Sequence, residues 1–472
     1  MFELLLLAII VIPVAFYCSR LRRGWWFLDP INTFWPMYVL FGVVEPWASR
    51  DGWIGVYGES VVCWTLTLYI LAGVTVYIGY VLPVGRRVAR RLPLLHGFDH
   101  ASRFVLVGFA ALVVGGLAYA YVIRVSGGLE QFLSVSRTSI NFEELSGYTL
   151  NLLTLVPLGL MILLCSTYHR PRYVILKRLT LVATAAFGIW CIYSGTRSGI
   201  IGVALIMLGS VYGAQRRNPP VYITALSFAA IVILVGFVAE YRGRMYGGQF
   251  HSDESRSVIL HHSMEFYVPS EKTLRVVGSE FDMSLAVVSW VPDTVPYDYG
   301  YMMFEYFTMP VPRAWWPQKI YPGEESWDRF YRVAGNASWV NRAGHLGGPA
   351  PGLIGKYFFI AGPAGVLLGG LWTGVFLQLI RSYVCRYSGI TGVLLAVGCF
   401  SLGYSEMNNP LWWPINWLPA TGAGVLVAVL LGRRGAHTIG RARTFHRAVP
   451  IPVPACATQL REFSGGRGVP CQ

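Results

Sequence analysis

The chain has 472 residues, 54% of them hydrophobic and only 13% charged, with a mean hydropathy of +0.49. Such a composition excludes a string of soluble domains, and apolar blocks of about 18 to 24 residues, the length that crosses a bilayer as helix, exclude both a transmembrane barrel and a lipid-anchored soluble enzyme. The formal net charge of +14 comes from 38 Lys and Arg against 24 Asp and Glu, and the placement of those residues decides whether nucleic acid is a partner.

In chain order the apolar blocks predict eleven spans, at 2–18, 31–48, 60–82, 104–123, 148–166, 179–195, 198–214, 221–239, 357–380, 389–405 and 412–431. The expected fold is all-α: a polytopic integral membrane protein of about eleven transmembrane helices, with one large extracytoplasmic loop of short helices. The first block has no basic flank before it and Arg20, Arg22 and Arg23 after it, the reverse of a cleavable signal, so it reads as a retained span. Four regions follow: eight spans over 1–239, a polar segment over 240–356, three spans over 357–432, and a tail over 433–472. That tail is rich in Arg, Pro and Gly and is expected to be a disordered cytoplasmic extension near anionic lipid.

Alternate connections differ sharply in charge. Counting Lys and Arg in the short loops, one side holds 16 and the other 4, and the basic side carries only Asp29, Asp99 and Glu462 as acids. Short loops set orientation, so the N-terminus and the 240–356 segment are expected outside and the C-terminus inside. Most of the +14 is thereby a topology signal, and no nucleic-acid partner is expected.

The eight cysteines build no exterior framework. Cys18, Cys385, Cys456 and Cys471 fall on or near the cytoplasmic side, Cys63, Cys165, Cys191 and Cys399 in spans, and none in 240–356. No disulfide, thiolate metal site or other metal is expected, and the absence of a Walker loop or dinucleotide fingerprint points to no cofactor.

The 240–356 segment is where chemistry is expected. It holds 11 basic and 13 acidic residues and four of the nine histidines. Its longest apolar stretch, Met283 to Val291, is too short to cross and is expected at the interface or in the mouth of the bundle. Two constellations stand out. Ser194-Gly195-Thr196-Arg197-Ser198-Gly199 is a tight turn between two spans, and an Arg at that depth suits the phosphate oxygens of a lipid diphosphate or else snorkels to headgroups. The stretch from Phe304 to Tyr321, FEYFTMPVPRAWWPQKIY, fixes Arg313 and Lys319 on a proline-stiffened loop beside Trp315 and Trp316. Cations there can hold phosphate and indoles can stack on sugars; the plainer reading is an aromatic belt with basic anchors.

At these residues the sequence resembles the O-antigen polymerase (Wzy) family of oligosaccharide repeat-unit polymerases. SGTRSG at 194–199 is similar to that family's small-residue turn around an Arg, PVPRAWWPQK at 310–319 to its Pro-Arg, Trp-Pro, Lys loop, and Gly355 to Gly365 to the element by which the chain re-enters the membrane. Where many members carry Glu in that element, this chain carries Lys356. The resemblance implies polymerisation of undecaprenyl-diphosphate-linked oligosaccharides, as donor and acceptor, at the outer face of the bacterial inner membrane. It adds membrane lipids, a chain-length regulator and a repeat-unit flippase as candidate partners. A diphosphate leaves without an acid, so the protein's task is to neutralise its charge and orient the acceptor hydroxyl. Arg197 and Arg313, with Lys319, Arg242 and Arg244, are the expected diphosphate ligands, and Trp315 and Trp316 the sugar-stacking residues. The candidate bases are His345, Glu280, Asp282 and Glu305. Each has a structural alternative: a capped glycine-rich turn for His345, the first turn of an amphipathic helix for Glu280 and Asp282, and an ion pair for Glu305.

Two alternatives stay open. An O-antigen ligase uses the same donor. A transporter or flippase also has many spans, but it binds at the midplane through ionisable residues or broken helices, whereas the polar residues here gather in one exterior segment.

Overall fold

The computed structural model describes residues 1–21, 27–95, 98–129, 132, 152–194, 197–213, 218–220, 280–300, 315–316, 351–408, 410 and 421–434, with scattered positions over 222–237. Among these the chain is helical, apart from one antiparallel pair of two-residue strands, β1 (Phe98–Asp99) with β2 (Arg433–Arg434). The helices are α1 (Phe2–Leu21), α2 (Ile31–Val39), α3 (Glu45–Ala48), α4 (Arg50–Tyr57), α5 (Glu59–Val81), α6 (Val84–Arg91), α7 (Ala101–Val125), α8 (Leu155–Thr167), α9 (Val174–Tyr193), α10 (Arg197–Leu208), α11 (Glu280–Trp290), α12 (Gly352–Val384), α13 (Gly389–Asn408) and α14 (Ala423–Gly432).

Six helical stretches are long and apolar enough to cross a membrane: Phe2–Ser19, Glu59–Val81, Ala101–Val125, Pro171–Tyr193, Gly352–Val384 and Gly389–Met407. Three shorter apolar helices, Leu155–Thr167, Gly199–Gly213 and Ala423–Gly432, fall where the fifth, seventh and eleventh spans are expected. The second expected span is helical but not smooth. A π turn, Leu40–Val44, separates α2 from α3, and the Glu45 N–H bonds to the Leu40 carbonyl. Pro46 follows, and because it has no N–H to give, the regular ladder cannot pass through it. The eighth expected span lies largely outside the described residues.

Glycine fixes the central packing. Gly79 of α5 faces the backbone of Leu371 and Val375, while Gly374 faces that of Val76 and Tyr80, so α5 and α12 run backbone to backbone. Small residues permit this approach, which van der Waals contact and hydrogen bonds then hold, as where Gln378 Nε2 donates to the Tyr80 carbonyl at 2.6 Å.

α12 is two arms. At Ala361 (φ −157°, ψ 32°) and Gly362 (φ 62°, ψ −147°) the helix breaks and reverses. The short arm, 352–360, folds back along the long arm, 363–384, so that Tyr357 packs on Gly365 and Gly369 and its hydroxyl lies 3.4 Å from Thr373 Oγ1. The left-handed φ at 362 is one that glycine adopts without a Cβ clash. Only the long arm, about 33 Å at 1.5 Å per residue, is long enough to cross. The ninth span, expected from 357, therefore begins after this turn.

Polar ties gather at the two ends of the bundle. At one end Arg50 pairs with Glu3 at 2.7 Å, and Tyr57 and Glu45 reach α11. At the other, Arg381 pairs with Asp29 at 2.8 Å, Asp99 accepts from the Thr391 N–H and hydroxyl, and Arg386 Nη1 donates to the Leu92 carbonyl at 2.8 Å. Each tie joins segments that alternation along the chain is expected to put at one end, and the charge bias of the loops leads us to expect the second end on the cytoplasmic side. A reporter active only in the periplasm is accordingly expected to work when fused within 240–356 and to stay silent after Arg86 or Arg433. Activity after Arg433 would overturn the orientation.

Candidate functional site

Two half-helices build the site. α11 is buried almost all round, with Phe281 and every residue from Met283 to Val288 shielded. It is therefore enclosed by other helices, which fits the mouth of the bundle better than an open surface, and it is not the amphipathic surface helix that its acidic first turn suggests. It packs against the short arm of α12: Ser284 Oγ donates to the Pro351 carbonyl at 3.0 Å, and Gly355 lets the arm approach the Ser284 backbone. After α11 the chain turns, and the N–H groups of Asp298 and Tyr299 donate to the carbonyls of Phe359 and Ile360, each at 2.9 Å. Those carbonyls end the short arm and have no helical partner, so the turn satisfies them. The residues on both sides of 301–350 are thus held on one buried piece of structure.

Carboxylates collect at the start of α11. Glu280 and Asp282 stand in its first turn, where the helix dipole favours negative charge. Glu45, 2% exposed, accepts the Phe281 N–H through Oε2 at 3.3 Å, capping the helix from another segment. The Tyr57 hydroxyl donates to Asp282 Oδ1 at 3.2 Å. Burial pushes the Asp282 carboxyl above the usual carboxylate range, and the bond from Tyr57 draws it part of the way back. Phe281 closes this region from below, its ring 5.1 Å from that of Trp53 and 5.5 Å from that of Tyr69.

Deeper in the bundle is a second polar group. Lys356, 1% exposed, donates from Nζ to the Pro410 carbonyl, and the carboxylates of Glu406 and Asp298 are the charges that act on it. Glu406, fully buried, accepts from Thr373 Oγ1 at 3.3 Å, which links it to the Tyr357 hydroxyl. Thr373 lies about 15 Å along the long arm, so this chain of groups sits well inside the bundle. Buried ions without such partners would be far too costly to keep.

Of the residues singled out by sequence, Glu280 and Asp282 come together here. Arg197 is the first described residue of α10, and residues 195 and 196 of the turn expected before it lie outside the described residues. Trp315 and Trp316 are exposed. His345, Glu305, Arg313, Lys319, Arg242 and Arg244 lie outside the described residues. Sequence reasoning missed Glu45, Tyr57 and Glu406 as site residues and noted Lys356 only as a departure from a family pattern. Lys356 and Glu406 had a signal, a charge at the edge of an apolar run, and Glu45 had one too, as a carboxylate inside the predicted span 31–48; Tyr57 had none that set it apart from ordinary loop residues.

Among the described residues, fold and site define a helical protein, six of whose helical stretches are long and apolar enough to cross a membrane, with ionisable groups buried around a pair of half-helices. The chain belongs to the family described as a domain of unknown function (DUF8712), whose model matches residues 103–401. The match begins in α7 and ends in α13, taking in SGTRSG, the whole polar segment and both arms of α12. No curated protein and no solved structure matches the chain.

Proposed function

We propose that the protein is a membrane-embedded, metal-independent glycosyltransferase of the bacterial inner membrane. It polymerises undecaprenyl-diphosphate-linked oligosaccharide repeat units into O-antigen, capsular or exopolysaccharide at the outer face. The observation that carries the reading is the rooting of the polar segment. Residues on both sides of 301–350, the stretch with Arg313, Trp315, Trp316 and Lys319, are tied to one buried unit that also bears Glu280 and Asp282. A diphosphate donor and a sugar acceptor require cations, stacking rings and a base, and the segment and its roots carry residues of all three kinds.

In the reaction an acceptor hydroxyl oxygen attacks the anomeric carbon of the donor. The bond from that carbon to the phosphate oxygen breaks, and the diphosphate leaves with the electron pair. Arg197 and Arg313, with Lys319, Arg242 and Arg244, take up the charge. Asp282 receives the hydroxyl proton, since its raised pKa makes it a stronger base than an ordinary carboxylate. Glu280, Glu305 and His345 are the other candidates for that role. A base must be ionised to act, so activity is lost as pH falls through the Asp282 pKa. Tyr57→Phe removes a hydrogen bond to the carboxylate, raises that pKa further and is expected to move the acid limb of the pH–rate profile to higher pH. An unmoved limb would take Asp282 out of the reaction.

Deletion of the gene in the native bacterium is the direct test. Single lipid-linked repeat units are expected to accumulate at the outer leaflet while their synthesis continues. A ligase would instead leave long polymer on the lipid carrier.

One observation favours a second reading, a transporter or flippase for lipid-linked sugars. α12 is a broken helix, and Lys356 and Glu406 are ionisable groups buried within the bundle, as in proteins that bind and move a polar cargo. Its deletion would trap repeat units on the cytoplasmic leaflet, where an externally added glycosidase cannot reach them.

A further inference from the structure

α6 follows α5 directly and divides into stripes four residues apart. Gly85 and Ala89 are buried, and a Cβ on Gly85 would stand 2.6 Å from the Val375 carbonyl oxygen and 2.8 Å from the Leu379 nitrogen, so this stripe is pressed on the long arm of α12. Arg386 holds the far end, donating to the Ala89 and Leu92 carbonyls. Beside the buried stripe runs an apolar one, Val84 and Val88, continued by Leu92, and all three are exposed. The remaining faces are Arg86 with Arg90 and Arg87 with Arg91, all four exposed. No Asp or Glu occurs between Glu59 and Asp99, and Asp99 is engaged by Thr391 and Arg433. Among the described residues none of the four arginines makes an ion pair.

We infer that α6 is a binding site for anionic phospholipid at the cytoplasmic end of the bundle. The partner must supply negative charge and apolar surface together. Four cations that make no ion pair among the described residues select an anionic headgroup, and a strip of exposed Val and Leu beside them selects acyl chain over a soluble phosphate. The close packing of Gly85 and the Arg386 cap keep the helix against the bundle, so the arginines are displayed in fixed register. This inference uses only the orientation given by the loop charges and stands whether the protein is a polymerase or a transporter.

The test is lipid retention by the purified full chain, read by native mass spectrometry after incubation with mixed micelles of phosphatidylglycerol and phosphatidylcholine. The wild type is expected to keep phosphatidylglycerol in preference, and the preference should weaken with salt. Arg86→Gln, Arg87→Gln, Arg90→Gln and Arg91→Gln combined should lower it at least tenfold, while the fourfold Arg→Lys variant should keep most of it. If the fourfold Gln variant does not fold, the pairs Arg86→Gln with Arg90→Gln and Arg87→Gln with Arg91→Gln each give a smaller loss in the same direction. Absence of preference in the wild type, full retention by the Gln variants, or displacement of the lipid by inorganic phosphate would overturn the assignment.

Discussion

Arg197→Ala and Arg313→Ala are each expected to cut polymerisation roughly a hundredfold, and Lys at either position to recover little of it. The figure follows from about 3 kcal/mol for a charge-assisted hydrogen bond made chiefly in the transition state. Identity matters because a planar guanidinium binds two phosphate oxygens at once, whereas an ammonium offers a point charge. Arg197 is the first described residue of α10, and the positive end of that helix's dipole would add to its own charge. The two residues stand 116 positions apart in sequence, and the proposal requires both to meet one diphosphate. Polysaccharide length on gels, with membrane levels matched, is the measurement. Wild-type polymer from both Lys variants would end the clamp reading, since an arginine that merely snorkels to headgroups needs a long stem and a cation but no fork.

The second large effect concerns stability. Gly374→Ala places a Cβ well inside contact distance of the Val76 carbonyl oxygen and 2.7 Å from the Tyr80 nitrogen, and Gly79→Ala meets the Leu371 backbone in the same way. Side chains can rotate away from an intruding methyl; these neighbours are backbone in helix and cannot. Each change is expected to cost about 3 kcal/mol, the upper end of the usual overpacking range, and to lower the melting temperature of the detergent-purified protein sharply. Gly116→Ala in α7 and Gly202→Ala in α10 meet nothing within 4 Å, and they should hold or raise it, since Ala is the better helix former. Equal behaviour of the two pairs would mean that α5 and α12 are not packed at their backbones.

The long spans were legible in the sequence because a bilayer demands some twenty apolar residues in a row, and few other features imitate that. The hairpin in α12 was not legible. Its two arms form one apolar run from Gly352 to Val384, and Gly362 is hidden among glycines that serve packing. Pro363, ready-placed at the first turn of a new helix, was a local sign, and it lies in the Gly355 to Gly365 stretch that resembles a re-entry element. Burial of α11 was also out of reach: Glu280 and Asp282 mark it as a surface helix unless one knows that Glu45 and Tyr57 arrive from 236 and 225 positions away. Lys356 and Glu406 fell just outside the predicted spans 357–380 and 389–405. An error of one residue at each boundary was enough to assign both to loops. Local pattern in the sequence offered the turn at Arg197 and the Pro, Trp and Lys loop, and most of that loop lies outside the described residues.

The backbone contact of α5 with α12 has a consequence for biosynthesis. Gln378 and Tyr80 are 298 positions apart, and a ribosome adding about 5 to 20 residues per second needs roughly 15 to 60 s to cover that distance. For that interval α5 has left the ribosome with Gly79 and the Tyr80 carbonyl bare of their final neighbour. Early company is at hand: α1 and α2 supply Ile12 and Tyr38 against Gly73, and the Tyr38 hydroxyl donates to the Tyr69 carbonyl. The far half of α5, around Gly79, stays open until α12 arrives. A nascent chain stalled before Gly352 should therefore present an unfinished helix to the quality-control proteases of the membrane, and the same chain stalled after Val384 should escape them.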